Sequence, residues 1–321
     1  MNKTDKIFIA GHTGLVGSAI VRCFRAAKFD NLLLRSRREL DLVDQQAVRA
    51  FFLREKPRHV ILAAARVGGI LANAMYSAEF IRENLLIQAN VIHEAYCQDV
   101  ERLLFLGSSC IYPRDCPQPI REEYFMTGPL EKTNSAYAVA KIAGVEMCHA
   151  YNREHGTRYV CAMPTNLYGP RDNFNPETAH VLAAMVRKFH DAKICNGPVV
   201  LWGTGTPRRE FLHVDDMAAA CLEIMVKPDD VLGWLFHPDF PPLLNIGCGQ
   251  DLSIQELAQL IAEIVGYRGP IRWDRSKPDG TPRKLLDISR MIRLAWKPRI
   301  SLSDGIRQVY EWFQEVEAVK Q

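Results

Sequence analysis

Short apolar runs alternate with longer amphipathic segments along the first half of the chain. These runs are continuous in Leu, Ile and Val, whereas strands with one solvent-facing side alternate apolar and polar positions. We therefore predict an α/β fold, a Rossmann-type doubly wound parallel sheet. Its first strands are expected at residues 6–10, 31–34, 59–63, 102–106 and 159–163, with two long helices at 78–97 and 135–155.

The regular alternation ends after Met163, where Pro and Gly become frequent. Helical spacing predicts further helices over residues 181–192, 214–225 and 304–316, and a short apolar run predicts a strand over 243–246. The sequence Ser253-Ile-Gln-Glu256 is typical of a capping box, which starts one more helix.

A glycine turn follows the first predicted strand, and a helical pattern over residues 18–27 follows the turn. Gly11 permits a sharp turn, Gly14 lets the backbone approach a diphosphate, and Gly17 permits close packing of the helix. An ordinary turn is the alternative, because the spacing departs from the usual Gly-x-Gly-x-x-Gly. Its position after the first strand favours dinucleotide binding by Gly11, His12, Thr13, Gly14, Leu15, Val16 and Gly17.

The end of the second strand distinguishes the two nicotinamide dinucleotides. An acidic residue there binds the ribose hydroxyls of NAD, whereas arginine accommodates the additional phosphate of NADP. Here Leu34 is followed by Arg35-Ser36-Arg37-Arg38, and the nearest carboxylates, Glu39 and Asp41, come later. The sequence therefore favours NADP, although a solvated basic loop also explains the arginines.

These patterns predict two lobes that pack as one unit. We expect residues 1–165 to form an NADP-binding Rossmann domain, to which segments near residues 205–230 return. Residues 166–321 are expected to form mainly a smaller C-terminal α/β lobe for the substrate, because insertions at the carboxyl ends of the strands build such sites.

Two short segments in the first half could perform carbonyl chemistry. Tyr137 and Lys141 lie four residues apart on one helical face, where an ammonium beside a phenol favours the phenolate and lowers the phenol pKa. In an extended run, Ser108 and Cys110 point to the same side. A hydroxyl and a thiol could then face Tyr137 together. A turn hydroxyl and a buried apolar cysteine are the alternatives for Ser108 and Cys110.

Composition excludes several classes of protein. The chain has 48% hydrophobic and 24% charged residues and a net charge of +3, which does not indicate nucleic acid as a partner. Its nine cysteines contain no Cys-x-x-Cys pair, so neither a disulfide framework nor a metal site is expected. The N-terminus lacks a signal-peptide pattern and no run is long enough to span a membrane, so a cytoplasmic location is expected.

Several motifs occur in an order known from other enzymes. They are the glycine turn, Arg66-Val-Gly-Gly-Ile70, Gly107-Ser-Ser-Cys-Ile-Tyr-Pro113, Tyr137-x-x-x-Lys141, Pro164-Thr-Asn-Leu-Tyr-Gly169, Arg209-Glu-Phe-Leu-His-Val-Asp-Asp216 and Lys277-Pro-Asp-Gly-Thr-Pro-Arg-Lys284. With them the chain resembles the extended short-chain dehydrogenases/reductases that act on nucleotide sugars, and among these the GDP-L-fucose synthases. The resemblance covers essentially the whole chain.

The resemblance implies a bifunctional reaction on GDP-4-keto-6-deoxymannose, in which carbons 3 and 5 are epimerised and NADPH reduces the 4-ketone. It gives Cys110 the role of base and His180 that of acid, with ordinary pKa values of ~8.5 and ~6.5. Ser108 and Tyr137 hold the enolate oxygen. Tyr137 then donates a proton during reduction, while Lys141 binds the nicotinamide ribose. A capping or surface histidine is the alternative for His180.

The resemblance also assigns binding residues and a homodimer built on the two long helices. For the GDP moiety it indicates Lys188, Trp202, Arg209 and Asp279. For the cofactor it adds to the glycine turn Arg37, Arg38, Asp41, Leu42, Leu106, Gly107, Ser108, Ser109, Lys141, Pro164, Thr165, Asn166, Leu167 and His180. Thr13 and Lys188 fall where related sequences can have Arg.

Three other functions remain open from the sequence. One is a reductase or epimerase of another GDP-4-keto sugar, such as a heptose or a dideoxy sugar. The second is a nucleotide-sugar 4-epimerase that retains its NAD. The third is an NADP sensor or scaffold on the same fold, for which a disrupted catalytic set is expected, although Ser108, Tyr137 and Lys141 are all present.

Overall fold

The computed structural model describes residues 1–175, 178–277 and 279–320. Pro176 and Pro278, the latter within the 277–284 motif, lie outside them. Six parallel strands form the large sheet in the order β2-β1-β3-β4-β5-β9. The strands of the chain are β1 Ile7–Ala10, β2 Leu32–Leu33, β3 His59–Leu62, β4 Arg102–Leu106, β5 Tyr159–Pro164, β6 Asn166–Tyr168, β7 Val199–Trp202, β8 Arg208–His213, β9 Leu243–Ile246, β10 Asp251–Ser253, β11 Ile271–Asp274 and β12 Arg283–Lys284.

Helices cover both faces of this sheet and also build the second lobe. They are α1 Leu15–Ala26, α2 Gln45–Glu55, α3 Ile70–Met75, α4 Ser77–Cys97, α5 Ser135–His155, α6 Val181–Cys195, α7 Val214–Val226, α8 Asp229–Leu232, α9 Ile254–Val265, α10 Ser289–Arg293 and α11 Leu302–Lys320. Single 3-10 turns lie at residues 109–111, 122–124, 132–134 and 233–235. Among the described residues, no helix combines the length and the apolar character needed to cross a bilayer.

Successive side chains along each strand point to opposite faces of the sheet and so pack in two different cores. In β1, Ile7 and Ile9 pack in a core with α1 and α7, whereas Phe8 and Ala10 pack in a second core with α2, α4 and α5. All four side chains are at most 1% exposed, as a strand covered on both faces requires. The predicted doubly wound α/β fold is confirmed.

The second lobe has its own core, formed mainly by α6, α9 and α11. Beside it, β8 pairs with β6 and β12 in parallel and with β10 in antiparallel, and β7 pairs with β11 in parallel. Ser253 and Glu256 form the capping box that was predicted at the start of α9.

The chain returns to the first sheet after it has entered the second lobe. Helix α7 packs against α1. Strand β9 then pairs with β5 and completes the large sheet. The sequence predicted a return near residues 205–230 but not that of β9, although it did predict the strand itself. The division into domains at residue 165 stays a prediction.

Candidate functional site

The glycine turn lies at the carboxyl end of β1. Gly11 has a φ of +85°, and a Cβ added to it would lie 2.7 Å from the amide nitrogen of Ala64. A Cβ on Gly17 would overlap the carbonyl oxygen of Gly11. Both positions therefore require glycine for close backbone packing. At Gly14 a Cβ would meet only ordinary contacts within the protein, at 3.6 Å from the Gly11 oxygen.

Gly14 is also the N-cap of α1, and no side chain caps that end. The first backbone N–H groups of α1 are thus available to a diphosphate, which the helix dipole also favours. The residues present fit a dinucleotide at this turn.

The basic loop after β2 lies between α2 and α4. Arg35 is directed to α2, where it pairs with Glu55 at 3.1 Å and lies 5.9 Å from the centroid of the Phe51 ring. Arg37 is largely exposed and faces Glu83 of α4 at 3.5 Å, and Arg38 is exposed. Nearby, the carbonyl of Leu42 accepts a hydrogen bond of 2.9 Å from the amide of Asn90.

Tyr137 and Lys141 lie in the first turns of α5, next to the end of β4. The Lys141 ammonium is 3% exposed and donates to the carbonyl oxygen of Leu106 at 2.8 Å. It lies 5.9 Å from the centroid of the Tyr137 ring. Burial lowers the pKa of Lys141 from 10.5 to about 8.

Tyr137 does not have the lowered pKa that the spacing predicted. Burial raises the pKa of its phenol, and the negative charge that Cys110 carries when ionised raises it too. The prediction was wrong in direction because desolvation disfavours the phenolate, while the Lys141 ammonium donates to Leu106 and lies 5.9 Å from the centroid of the phenol ring. Tyr137 therefore retains its proton at neutral pH, as a proton donor must.

Ser108 and Cys110 do not lie on one extended run. Ser108 is extended, with φ −160° and ψ 148°, but Ser109–Ile111 form a 3-10 turn. The Ser108 hydroxyl accepts a hydrogen bond of 3.3 Å from the backbone N–H of Cys110. The assumption of an extended run was wrong because this local bond stabilises the turn. The Ser108 hydroxyl also forms a side-chain hydrogen bond with Cys110.

Cys110 is 5% exposed, and burial raises the pKa of its thiol. Three side-chain groups oppose that rise: the ammonium of Lys284, the hydroxyl of Ser108 and the ammonium of Lys141. Cys110 and Lys284 also line one small cavity of about 10 Å³. No role was predicted for Lys284, although its motif was recognised; the available signal was its position at the end of the Lys277–Lys284 motif.

His180 is the N-cap residue of α6 and its side chain makes no capping hydrogen bond. The residues just before it lie against the loop after β3, since Gly69 N–H donates to the carbonyl of Thr178 at 3.1 Å. His180 is exposed at the surface, and partial desolvation by the residues around its ring lowers its pKa. The pKa values of both epimerisation candidates thus depart from the ordinary values expected, and both shifts favour the neutral thiol and imidazole.

The residues predicted for the GDP moiety lie at the edge of the second lobe. Lys188 donates to the carbonyl of Val200 at 2.9 Å and lies 5.7 Å from the ring centroid of Trp202. Lys277 lies 5.5 Å from the centroid of the same ring, and no contact with the GDP moiety was predicted for it from the sequence. The indole is 47% exposed, so one aromatic surface flanked by two ammonium groups is open to a ligand.

Arg209 and Asp279 are neighbours but do not form a simple pair of ligand contacts. Burial lowers the pKa of Arg209, and the nearby charge of Asp279 raises it. The Asp279 carboxylate accepts hydrogen bonds from the backbone and hydroxyl of Thr204, at 2.9 and 2.7 Å. Asp279 therefore stabilises the turn after β7. Both of its carboxylate oxygens are already hydrogen-bonded to Thr204, although a contact with the ligand was predicted for this residue.

The segment predicted to line the nicotinamide end joins the two lobes. Gly107 N–H donates to the carbonyl of Ala162 at 2.9 Å, so the ends of β4 and β5 are side by side. Thr165 and Asn166 both donate to the carbonyl of Glu210 in β8, at 3.1 and 2.8 Å. Pro164 ends β5 and Leu167 lies in β6, so the predicted residues follow one continuous edge.

The buried carboxylate of Glu210 also links β8 to two later segments of the chain. It accepts hydrogen bonds from the backbone of Gly249 at 2.7 Å and of Leu286 at 3.0 Å. Because β12 pairs with β8, these bonds fix Lys284 next to Arg209. Glu210 could not be identified from the sequence, since only the fold shows which strands its carboxylate joins.

Known proteins resemble this chain along almost its full length. The model of a family described as the NAD dependent epimerase/dehydratase family matches residues 7–237. A putative GDP-L-fucose synthase 2 of Arabidopsis thaliana is 55% identical over 98% of this chain and 93% of its own. A GDP-L-fucose synthase of Escherichia coli (strain K12) is 52% identical, with 97% of each chain covered.

A solved structure supports the same comparison in three dimensions. It is that of a GDP-mannoheptose C4 reductase from Campylobacter jejuni with NADP bound. That protein is 40% identical to this chain, superposes with a TM-score of 0.87, and the match covers 98% of this chain and 99% of the reductase.

Proposed function

This chain belongs to the NAD dependent epimerase/dehydratase family, and from that premise we propose that it is an NADPH-dependent enzyme that makes GDP-L-fucose. It epimerises carbons 3 and 5 of GDP-4-keto-6-deoxymannose and then reduces the 4-ketone. The observation that carries this proposal is the position of Cys110, which lines one small cavity with Lys284. The ammonium groups of Lys284 and Lys141 lower the pKa of its thiol, and its own charge raises the pKa of Tyr137. A simple carbonyl reductase needs Tyr137 and Lys141 but no thiol there.

The dinucleotide binds at the glycine turn in this proposal. The amides at the start of α1 hold the diphosphate, and Arg37 and Arg38 bind the 2′-phosphate. When bound, NADPH supplies the hydride for carbon 4. Lys141 would hold the nicotinamide ribose, since its ammonium lies at the end of β4, where it donates to the carbonyl of Leu106.

Epimerisation starts with removal of a proton next to the ketone. The charge that develops on the ketone oxygen is stabilised by the hydroxyl groups of Ser108 and Tyr137. Cys110 takes the proton as its thiolate and His180 returns one from the opposite side as its imidazolium, so each residue acts in the protonation state that its shifted pKa disfavours. Because burial raises the pKa of Cys110, its thiolate depends on the ammonium groups of Lys284 and Lys141.

Reduction uses the proton that Tyr137 retains. Burial raises the pKa of Tyr137, so the phenol is protonated at neutral pH and can donate to the oxygen at carbon 4. The Lys141 ammonium stabilises the phenolate that this step leaves behind. One tyrosine thus serves both stages.

The GDP moiety lies on the exposed face of Trp202 in this proposal, with Lys188 and Lys277 beside it. Arg209 lies deeper, next to Lys284 on the neighbouring strand. Several cations near one aromatic surface suit a purine nucleoside diphosphate.

The test is incubation of the protein with GDP-4-keto-6-deoxymannose and NADPH. We expect NADPH absorbance to fall in step with formation of GDP-L-fucose, identified by NMR of the product. Tyr137→Phe is the matched control, which should bind both ligands but reduce no ketone. No loss of NADPH with the unmodified enzyme would exclude the proposal.

A GDP-4-keto-heptose is the second candidate substrate. It is favoured by the likeness to the GDP-mannoheptose C4 reductase, which also extends over the full chain. Parallel assays with both sugars decide between them through the ratio of kcat/KM.

We propose further that the enzyme is a cytoplasmic homodimer. The nine cysteines are all free, which suits a reducing compartment. Helices α4 and α5 pack side by side on one face of the sheet, and Val139 of α5 is 44% exposed there. Light scattering of the purified protein tests the dimer, and Val139→Lys should weaken it.

A further inference from the structure

Arg37 has two carboxylates beside it. Its guanidinium lies 3.5 Å from Glu83 of α4 and 3.9 Å from Asp41. The Arg37 side chain is 70% exposed, whereas that of Glu83 is only 14% exposed. Of the two arginines proposed for the 2′-phosphate of the dinucleotide, one therefore already faces two negative charges.

Glu83 is fixed independently of Arg37. Its carboxylate pairs with Arg66 at 2.7 Å, and the same guanidinium pairs with Glu79 at 2.6 Å. The amide of Asn84 in turn binds both backbone polar groups of Arg66, at 2.9 and 3.0 Å. The Glu83 charge consequently stays in place when the exposed Arg37 turns toward a ligand.

We propose that Glu83 and Asp41 are specificity-determining residues that weaken the preference of this enzyme for NADPH over NADH. The inference rests on the proposed binding of NADP at the glycine turn. A phosphate monoester brings about −1.5 to −2 charges, so it must separate Arg37 from both carboxylates and is repelled by them. NADH has no such phosphate, so the two carboxylates do not weaken its binding.

Removing either charge should therefore strengthen binding of NADPH relative to that of NADH. Glu83→Gln leaves Arg66 paired with Glu79, so no guanidinium is left without a carboxylate. Because pairs this exposed are worth up to about 1 kcal/mol, we expect the Kd for NADPH to fall about threefold to fivefold. Asp41→Asn should act in the same direction and more weakly, since its contact is longer.

The experiment titrates the full-length protein separately with NADPH and NADH by calorimetry. The variants are Glu83→Gln, Asp41→Asn and the two combined, and the readout is the ratio of the two Kd values. Glu55→Gln is the matched control, because it removes a carboxylate partner from Arg35 in the same loop but not from Arg37. It should leave both Kd values unchanged.

Arg37→Ala separates this inference from the proposed function. This substitution should weaken the binding of NADPH and leave the binding of NADH unchanged. A protein that binds neither nucleotide would overturn the proposed function and this inference together. Unchanged NADPH binding in both Glu83→Gln and Asp41→Asn, or weaker binding in Glu83→Gln, would overturn this inference alone. If Glu83→Gln does not fold, Asp41→Asn at its half-exposed position decides through the ratio of the two Kd values.

Discussion

Lys141 is expected to destabilise the folded protein at neutral pH. Burial lowers its pKa from 10.5 to about 8, so below pH 8 the fold must hold a charge that it disfavours. The shift of about 2.5 units corresponds to about 3 kcal/mol at 1.36 kcal/mol per unit. Lys141 is 3% exposed, so solvent screening does not reduce this figure much.

Replacing Lys141 by Met should consequently stabilise the protein at pH 7. The variant loses the hydrogen bond to Leu106, which is worth about 1 kcal/mol. A net gain of about 2 kcal/mol in the free energy of unfolding remains. Reduction of the ketone should be lost in the same variant.

The sign of the pH dependence follows from proton binding. Between pH 8 and 10.5 the unfolded chain binds more protons at this lysine than the folded protein does, so stability rises with pH. The advantage of Lys141→Met should therefore be full at pH 7, fall by about 1.36 kcal/mol per unit above pH 8 and vanish near about pH 9.5. Above that pH the variant should be the less stable protein, because the missing hydrogen bond then outweighs the remaining cost of the charge.

Urea denaturation of both proteins at pH 7, 8, 9 and 10, followed by circular dichroism, measures this difference. Lys193→Met is the control, since Lys193 also donates to a carbonyl, that of Val265 at 2.8 Å, from an exposed position. Its effect on stability should not change with pH. A constant difference between Lys141→Met and the unmodified enzyme across this range would refute the reasoning.

Further substitutions test the remaining assignments. Cys110→Ser should slow deuterium uptake from solvent at carbons 3 and 5 far more than reduction of an already epimerised ketone; equal losses would argue against Cys110 as the base. Lys284→Met should shift the pH profile of deuterium uptake upward, because it removes a charge that lowers the pKa of Cys110. Gly17→Ala should lower Tm and abolish nucleotide binding, since its Cβ would overlap the Gly11 oxygen, whereas Gly14→Ala should fold normally and weaken nucleotide binding only. Tyr112→Phe should cost about 1–3 kcal/mol by urea denaturation, because its hydroxyl donates to the buried Asn245 at 2.6 Å.

Local chemistry made the first half of the fold predictable. A continuous apolar run such as that of β4 can be buried on both faces only in a sheet covered by helices, and its predicted bounds agree with Arg102–Leu106. The short strands of the second lobe were largely missed. Strand β12, for example, has two residues and is stabilised by pairing with β8, which no local pattern encodes.

Electrostatic predictions failed where burial dominates. The spacing of Tyr137 and Lys141 places them on one helical face, but it contains no information about how much water surrounds the phenol. Desolvation raises the pKa of Tyr137 and reverses the predicted direction. The same limit applies to Cys110, whose pKa depends on burial and on Lys284, 174 positions away in the sequence.

The sequence by itself determined the doubly wound α/β fold and the glycine turn, and it nominated Tyr137, Lys141, Ser108 and Cys110 as reactive groups. These follow from periodicity, from glycine's missing Cβ and from side-chain chemistry, all of which are local. Only the tertiary structure decided that Lys284 lies beside Cys110 and that Glu83 faces Arg37. Charge interactions depend on distance and burial in space, and these arise when strands and helices remote in sequence pack together.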